Sequence, residues 1–150
     1  MENIKLPITL LPNYVGEKLP FYATSGSVGL DLMAAITENI TLKPLDRALI
    51  ANGFKMELPQ GFEAQIRPRS GLAFNYGITV LNSPGTIDSD YRGEIKTLLV
   101  NLSNEEFTIT PGTRVSQMVI NKVTLAKPEV VTDLNMSGRG EGGFGSTGEK

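Results

Sequence analysis

"GFEAQIRPRS", residues 61–70, sets Phe62, Ala64, Ile66 and Pro68 on one side and Glu63, Gln65, Arg67 and Arg69 on the other. That period of two is the pattern of a half-buried strand, here with a basic end. "EIKTLLVNL" (94–102) and "RVSQMVINKV" (114–123) also read as strands. Turn signals separate such stretches: "KPLD" at 43–46, "LPQG" at 58–61, "SPGT" at 83–86 and "TPGT" at 110–113. Short strands punctuated in this way predict an all-β barrel or jelly roll. The spacing predicts one helical turn, "SGLAFNY" at 70–76, with Ser70 as its N-cap. Apolar alternation runs to about Asn135, which predicts one domain over 1–135 followed by a glycine-rich tail, 136–150.

Composition narrows the chemistry. A net charge of −2, from 14 Lys+Arg and 16 Asp+Glu, offers no basic stripe for nucleic acid. No apolar run is long enough to span a bilayer, and "MENIKLPITL" lacks a signal-peptide layout. The expectation is a soluble, cytoplasmic protein with no membrane and no nucleic-acid partner. The chain has no Cys and no His. Disulfides, thiolate zinc sites, Cys nucleophiles, His-ligated metals and Ser-His-Asp hydrolysis are excluded. Any hydrolysis must use carboxylates, hydroxyls, cations and a metal held through oxygens.

Three segments concentrate such groups. In "RPRSGLA" a strand leads into Arg69, Ser70 and Gly71, where a guanidinium beside free helix N–H groups suits an anion. An ordinary helix start with a solvated Arg would read the same. In "NSPGTIDSDYRGEI", Pro84-Gly85 reads as a hairpin turn, setting Asn82 and Asp88 on opposing strands. Asp88 and Asp90, two apart, would then share a strand face as a carboxylate pair, or simply cap a solvated turn. Asp31, inside "SGSVGLDLMAA", either alternates out to solvent or is buried with a partner. Gln117, on the same side of its strand as Val115 and Val119, also needs a partner.

Five segments in one order, "SVGLDL", "RPRSGLA", "NSPGTIDSDYRGE", "RVSQMVI" and "RGEGGFGSTG", resemble the five motifs of the homotrimeric dUTP diphosphatases (dUTPases) and span residues 27–148. The resemblance implies a distorted jelly-roll β-barrel with one short helix, a homotrimer with active sites shared between subunits, and a flexible C-terminal arm. It implies hydrolysis of dUTP to dUMP and pyrophosphate, which keeps uracil out of DNA and supplies dUMP for dTMP. By this resemblance Asp88 activates the attacking water, and Asp31 touches Mg2+ through water. Arg69, Ser70, Gly71 and Gln117 hold phosphates. Asn82, Gly85, Thr86, Ile87 and Lys96 surround uracil without room for a thymine methyl, and Tyr91 lies beneath the deoxyribose. In the arm Phe144 would stack on uracil, while Arg139, Gly145, Ser146 and Thr147 would close on the triphosphate. Six glycines among residues 138–150 let such an arm bend. Two other readings remain: a dCTP deaminase-like enzyme of the same fold, and a jelly-roll binding protein without turnover.

Overall fold

In the computed structural model, residues 3–16, 19–143 and 146 are described. Eleven strands and one helix run in the order β1 (Ile8–Leu10), β2 (Leu30–Met33), β3 (Ile40–Leu42), β4 (Arg47–Ala51), β5 (Phe54–Met56), β6 (Phe62–Arg67), α1 (Ser70–Tyr76), β7 (Ile78–Val80), β8 (Gly85–Ile87), β9 (Lys96–Asn101), β10 (Phe107–Ile109) and β11 (Arg114–Lys122). The expected all-β class with one short helix is what forms. β2-β11-β6-β8 make a four-stranded sheet and β4-β9-β7 a three-stranded one, with β1-β5 and β10-β3 as two-stranded ribbons. Each of these pairings is antiparallel. One apolar cluster joins them, including Leu32, Ile50, Phe54, Ala64, Ile66, Ile78, Leu99, Ile109, Val115 and Met118. The sheets close a barrel-like core in the jelly-roll manner.

The 61–70 stretch behaves as its alternation demands. Ala64 and Ile66 are buried, while Glu63, Gln65 and Arg67 stay half-exposed. On that outer side Arg67 donates to Gln65 Oε1 through Nε and Nη2 (3.0 and 2.6 Å), and Gln65 Nε2 donates to Glu63 (2.7 Å). Four sequence expectations need correction. Ser70 is not the N-cap: Arg69 occupies that position in extended conformation, and no side chain caps the helix. Gly77, at φ 66°, ends the helix in the left-handed region that glycine adopts without steric cost. Pro84-Gly85 does not join a paired hairpin. β7 pairs with β9 and β8 with β6, so residues 81–84 carry the chain from one sheet to the other. Asp88 and Asp90 are not a strand-face pair, because β8 ends at Ile87 and both lie in the loop that follows. In β11 a register shift between Arg114 and Ser116 breaks the alternation. Val115 therefore joins the core cluster, while Val119 does not share its side.

Polar atoms also cross the core. Asn52, Thr97 and Ser116 are almost fully buried. Asn52 Nδ2 donates to Met33 O (2.9 Å), Thr97 Oγ1 donates to Asn52 Oδ1 (3.0 Å), and the Thr97 and Ser116 hydroxyls lie 2.7 Å apart. The chain of bonds stitches β2 and β11 to β9. The last strand ends at Lys122, and residues 124–141 are all exposed. Replacing Thr97 with Val keeps volume but strands Asn52 Oδ1 and the Ser116 hydroxyl. Thr97→Val should cost about 1–3 kcal/mol, read as a lower urea midpoint at fixed protein concentration.

Candidate functional site

β2, β11 and the start of α1 meet at one cavity of about 290 Å³, lined by Asp31, Arg69, Ser70, Arg114, Gln117 and residues 23 and 27–29. Asp31 and Gln117 face one another across the β2–β11 ladder. Asp31 alternates to the face opposite Leu30 and Leu32, where it is half-buried between partners, its side chain 12% exposed. Its Oδ1 lies 3.2 Å from Arg69 Nε, and its Oδ2 accepts from Arg114 Nη1 at 2.9 Å. Arg69 Nη1 also donates to Arg114 O (3.0 Å), which holds the Arg69 guanidinium against β11. Two cations around one anion leave this cavity net positive. The Ser70 hydroxyl stands at its edge. The N–H groups of Ser70, Gly71 and Leu72 open the helix, where no intrahelical partner exists. Gln117 Nε2 donates to Pro68 O (2.9 Å), which supplies the partner the sequence called for. A Cβ at Gly71 would meet only open space within the chain.

A second cavity, about 260 Å³, is lined by Leu49, Thr86, Ile87, Asp88, Tyr91, Glu94, Ile95 and Lys96. Asp88 and Lys96 are exposed, and Tyr91 OH donates to Glu94 O (3.0 Å). Glu94 Oε1 accepts from Asn13 Nδ2 (2.9 Å) and Gly53 N–H (3.1 Å), while its Oε2 lies 4.0 Å from Lys96 Nζ. Asn82 is exposed in the crossover between sheets. Its Nδ2 would lie 3.1 Å from a Cβ at buried Gly85, so the amide is folded over that glycine.

The two cavities share no residue. Asp31 lies on β2 and Asp88 just beyond β8, at opposite edges of the four-stranded sheet. Asp31 aligns with Gln117 and Arg67, whereas Asp88 continues the β8 register to a level opposite Glu63. Three strand spacings across and four residues along put them about 20 Å apart. Each cavity also falls at or below the roughly 300 Å³ lower end of small-molecule sites.

In the arm, Arg139 Nε donates to Gly142 O (2.7 Å), and Ser146 N–H donates to Gly143 O (3.1 Å). Phe144, Gly145 and Thr147 lie outside the described residues. Arg114 and Glu94 were missed as site residues. Arg114 abuts "VSQ", yet its pairing with Asp31 spans 83 residues of chain and has no local signal. A larger cavity of about 520 Å³ beside β1 has Asn3, Tyr22 and Lys122 as its polar residues and holds none of the candidate residues.

The sequence model of the family described as dUTPase matches residues 17–148. A deoxyuridine 5'-triphosphate nucleotidohydrolase of Cytophaga hutchinsonii is 60% identical over 137 residues, covering 91% of this chain and 89% of that protein. The Fusobacterium nucleatum protein of the same name is 54% identical over 134 residues, covering 89% and 92%. Among solved structures, a Staphylococcus bacteriophage 80alpha dUTPase with dUpNHpp superposes with a TM-score of 0.86 at 22% identity, covering 97% of this chain and 99% of that one. A phage phi11 dUTPase, described for its coordination of a structural Mg(II) ion, gives 0.78 at 19% identity, covering 89% and 100%. Both bear out the fold.

The close approach of Gly29 to Gln117 is a handle on the positive cavity. A Cβ at Gly29 would collide with the Gln117 carboxamide, whereas one at Gly26 would meet nothing. Gly29→Ala should weaken tripolyphosphate binding by about tenfold or more, a loss of at least 1.4 kcal/mol in calorimetry, with Gly26→Ala unchanged.

Proposed function

The chain belongs to the dUTPase family, and from that premise we propose that it hydrolyses dUTP to dUMP and pyrophosphate at a site shared between copies of itself. The observation that carries this reading is that one chain holds two separate, incomplete cavities. One is cationic and suits a triphosphate; the other holds an exposed carboxylate beside an aromatic ring.

Asp88 is the group assigned to the attacking water. A carboxylate is ionised at neutral pH and can accept the water proton, though as a weak base. The water oxygen attacks the α-phosphorus in line, the bond to the bridging oxygen breaks, and pyrophosphate leaves with the electron pair. Positioning and charge stabilisation supply most of the acceleration. Arg69, the Ser70 hydroxyl, the backbone at Gly71 and Gln117 hold the phosphates, and Arg114 fixes Arg69 through their shared carboxylate. Asn82, Gly85, Thr86, Ile87 and Lys96 surround the uracil. Tyr91, tethered through its hydroxyl to Glu94 O, stands under the deoxyribose where a ribose 2′-hydroxyl would clash.

Among the described residues no cluster of three or more His, Cys, Asp or Glu could chelate a metal. The residues present would not ligate Mg2+ directly: Asp31 is already held by two guanidiniums in a net-positive cavity, so a hydrated Mg2+ would enter only with the negative charge of the triphosphate. Asp31 would hold it through water, since a carboxylate keeps acceptor sites beyond its two guanidinium bonds. When bound, the ion supplies charge neutralisation along the triphosphate.

A separation of about 20 Å between Asp31 and Asp88 makes a complete site within one chain unworkable. One copy presenting its Asp88 cavity to the Asp31 cavity of the next is a heterologous contact, which ends cleanly only by ring closure. A homotrimer is the closed ring proposed. Residues 136–150 form the arm, and Arg139, Phe144, Gly145, Ser146 and Thr147 close it over base and triphosphate. No helix among the described residues is long and apolar enough to cross a membrane. The cytoplasm is the compartment proposed.

Pyrophosphate release from dUTP, dTTP, dCTP and UTP, each with magnesium or with a chelator, tests the reading. Fast magnesium-dependent release from dUTP alone is expected. Ammonia from dCTP would hand the chain to the deaminase-like alternative, and silence on all four would leave a binding scaffold. Asp88→Asn should cut turnover at least about a hundredfold with dUTP affinity nearly intact. Co-expressing differently tagged Asp88→Asn and Asp31→Asn chains tests sharing. Random assembly rebuilds a site with both carboxylates at about a quarter of positions, so the mixture should recover about a quarter of the wild-type rate. No recovery would mean that each site is built within one chain.

A further inference from the structure

We propose that Glu94 is a positioning residue for sugar selectivity: its carboxylate anchors the backbone on which the Tyr91 ring rests, and so holds that ring where a ribose 2′-hydroxyl would clash. That role rests on the placement of Tyr91 beneath the deoxyribose and supplies what keeps the ring there.

Tyr91 has little hold of its own. It is 46% exposed and lies in the loop between β8 and β9. The side chain folds back on its own segment: a Cβ at Gly93 would collide with the ring, and the hydroxyl donates to Glu94 O (3.0 Å). The ring therefore goes where the backbone of Gly93 and Glu94 goes. A wall that excludes one hydroxyl works only if it does not yield, so that backbone must be fixed.

The Glu94 carboxylate fixes it. Its side chain is 19% exposed. Oε1 accepts from Asn13 Nδ2 (2.9 Å) and from the buried Gly53 N–H (3.1 Å), hydrogen bonds strengthened by the acceptor's charge. Asn13 Nδ2 reaches Ala35 O as well (3.2 Å), and Leu11 N–H donates to Gly53 O (2.8 Å). A Cβ at Gly53 would strike the Tyr14 backbone, so the turn between β4 and β5 lies flush against the N-terminal segment. One carboxylate thus ties the Tyr91 loop to two segments remote in sequence. The next residue continues the hold, with Ile95 N–H donating to Phe54 O (2.9 Å) and Asn52 N–H to Ile95 O (3.0 Å). With Oε1 taken by two donors and Oε2 facing Lys96 Nζ at 4.0 Å, Glu94 is committed to the protein and is not a second base for water.

Reach and charge can be separated at this position. Glu94→Asp keeps the charge but withdraws the oxygens from Asn13 and Gly53 by one methylene; Glu94→Gln keeps the reach and an Oε1 acceptor but loses the charge. The ratio of kcat/KM for dUTP over UTP should fall at least about tenfold in Glu94→Asp and stay within about threefold of wild type in Glu94→Gln. The loss on dUTP should appear more in KM than in kcat, because Asp88 and the phosphate-holding groups are untouched. Equal ratios in the two variants, high or low, or the reverse order would overturn the proposal. A second readout needs no nucleotide. The Gly93 α-protons, set against the Tyr91 ring, should carry a ring-current shift in NMR spectra that Tyr91→Leu removes. Glu94→Asp should lose most of that shift and Glu94→Gln should keep it; a folded Glu94→Asp protein with the whole shift would also overturn the proposal. Asn13→Ala, which removes one donor from outside the cavity, should move both readouts in the direction of Glu94→Asp, and it stands in if that variant does not fold. No movement in either would overturn the role of Glu94. A wild type whose Gly93 shift behaves as expected but which leaves dUTP intact keeps the Tyr91 anchor and sinks the activity.

Discussion

The hydrogen-bond chain from Met33 O through Asn52 and Thr97 to Ser116 runs where the core is otherwise apolar. Polar side chains buried to this degree are costly unless each finds a partner, and here each does. The geometry they demand permits one relative placement of β2, β9 and β11. Those strands carry the candidate groups. Thr97 follows Lys96, Ser116 precedes Gln117, and Met33 lies two residues past Asp31. The polar chain thus holds the Asp31 and Asp88 cavities of one chain in a fixed relation.

Fixing the halves apart has a chemical consequence. Under the proposed shared site, a nucleotide that used both cavities would bridge two molecules, so chemistry and assembly would be one problem. Within each half the local electrostatics are settled before any ligand arrives. Asp31 between Arg69 and Arg114 holds two guanidiniums in position, and leaves a net cation for a polyanion without reorganisation. In the other half Glu94 joins Asn13, the Gly53 amide and Lys96, which ties the cavity wall to the N-terminal segment. The sheet between the halves is rigid, while the segment beyond Lys122 is exposed along 124–141. A stiff scaffold with a glycine-rich end suits a site that must admit a large anion and then exclude water.

Much of this was legible in residue order. The alternation over 61–70, the turns at 43–46, 58–61 and 110–113 and the span of the helix at 70–76 are local patterns that report local structure, and each forms where expected. The identity of Arg69, Ser70, Asp31 and Gln117 as one group followed from the resemblance of their segments to family motifs, and the fold brings them to one cavity. The helix cap was misjudged by one position because Ser70 and Arg69 both satisfy the local pattern, and backbone geometry alone decides between them.

What tertiary structure decided is everything that depends on which strands become neighbours. Residues 81–84 look like a tight turn, yet the strands on either side pair elsewhere, since pairing is chosen by burial of both faces and not by the turn. Asp31 and Arg114 meet across 83 residues, and no periodicity encodes a partner so remote. The ladder register places Leu49 of β4 and Leu98 of β9 side by side, a pairing that no local pattern encodes. Sequence alone determined the chemical inventory, a hydrolytic repertoire without histidine or cysteine, and the period-2 rhythm of the strands, because both reside in residues and their nearest neighbours. The division of that inventory between two faces about 20 Å apart came from the strand order β2-β11-β6-β8, a long-range packing outcome.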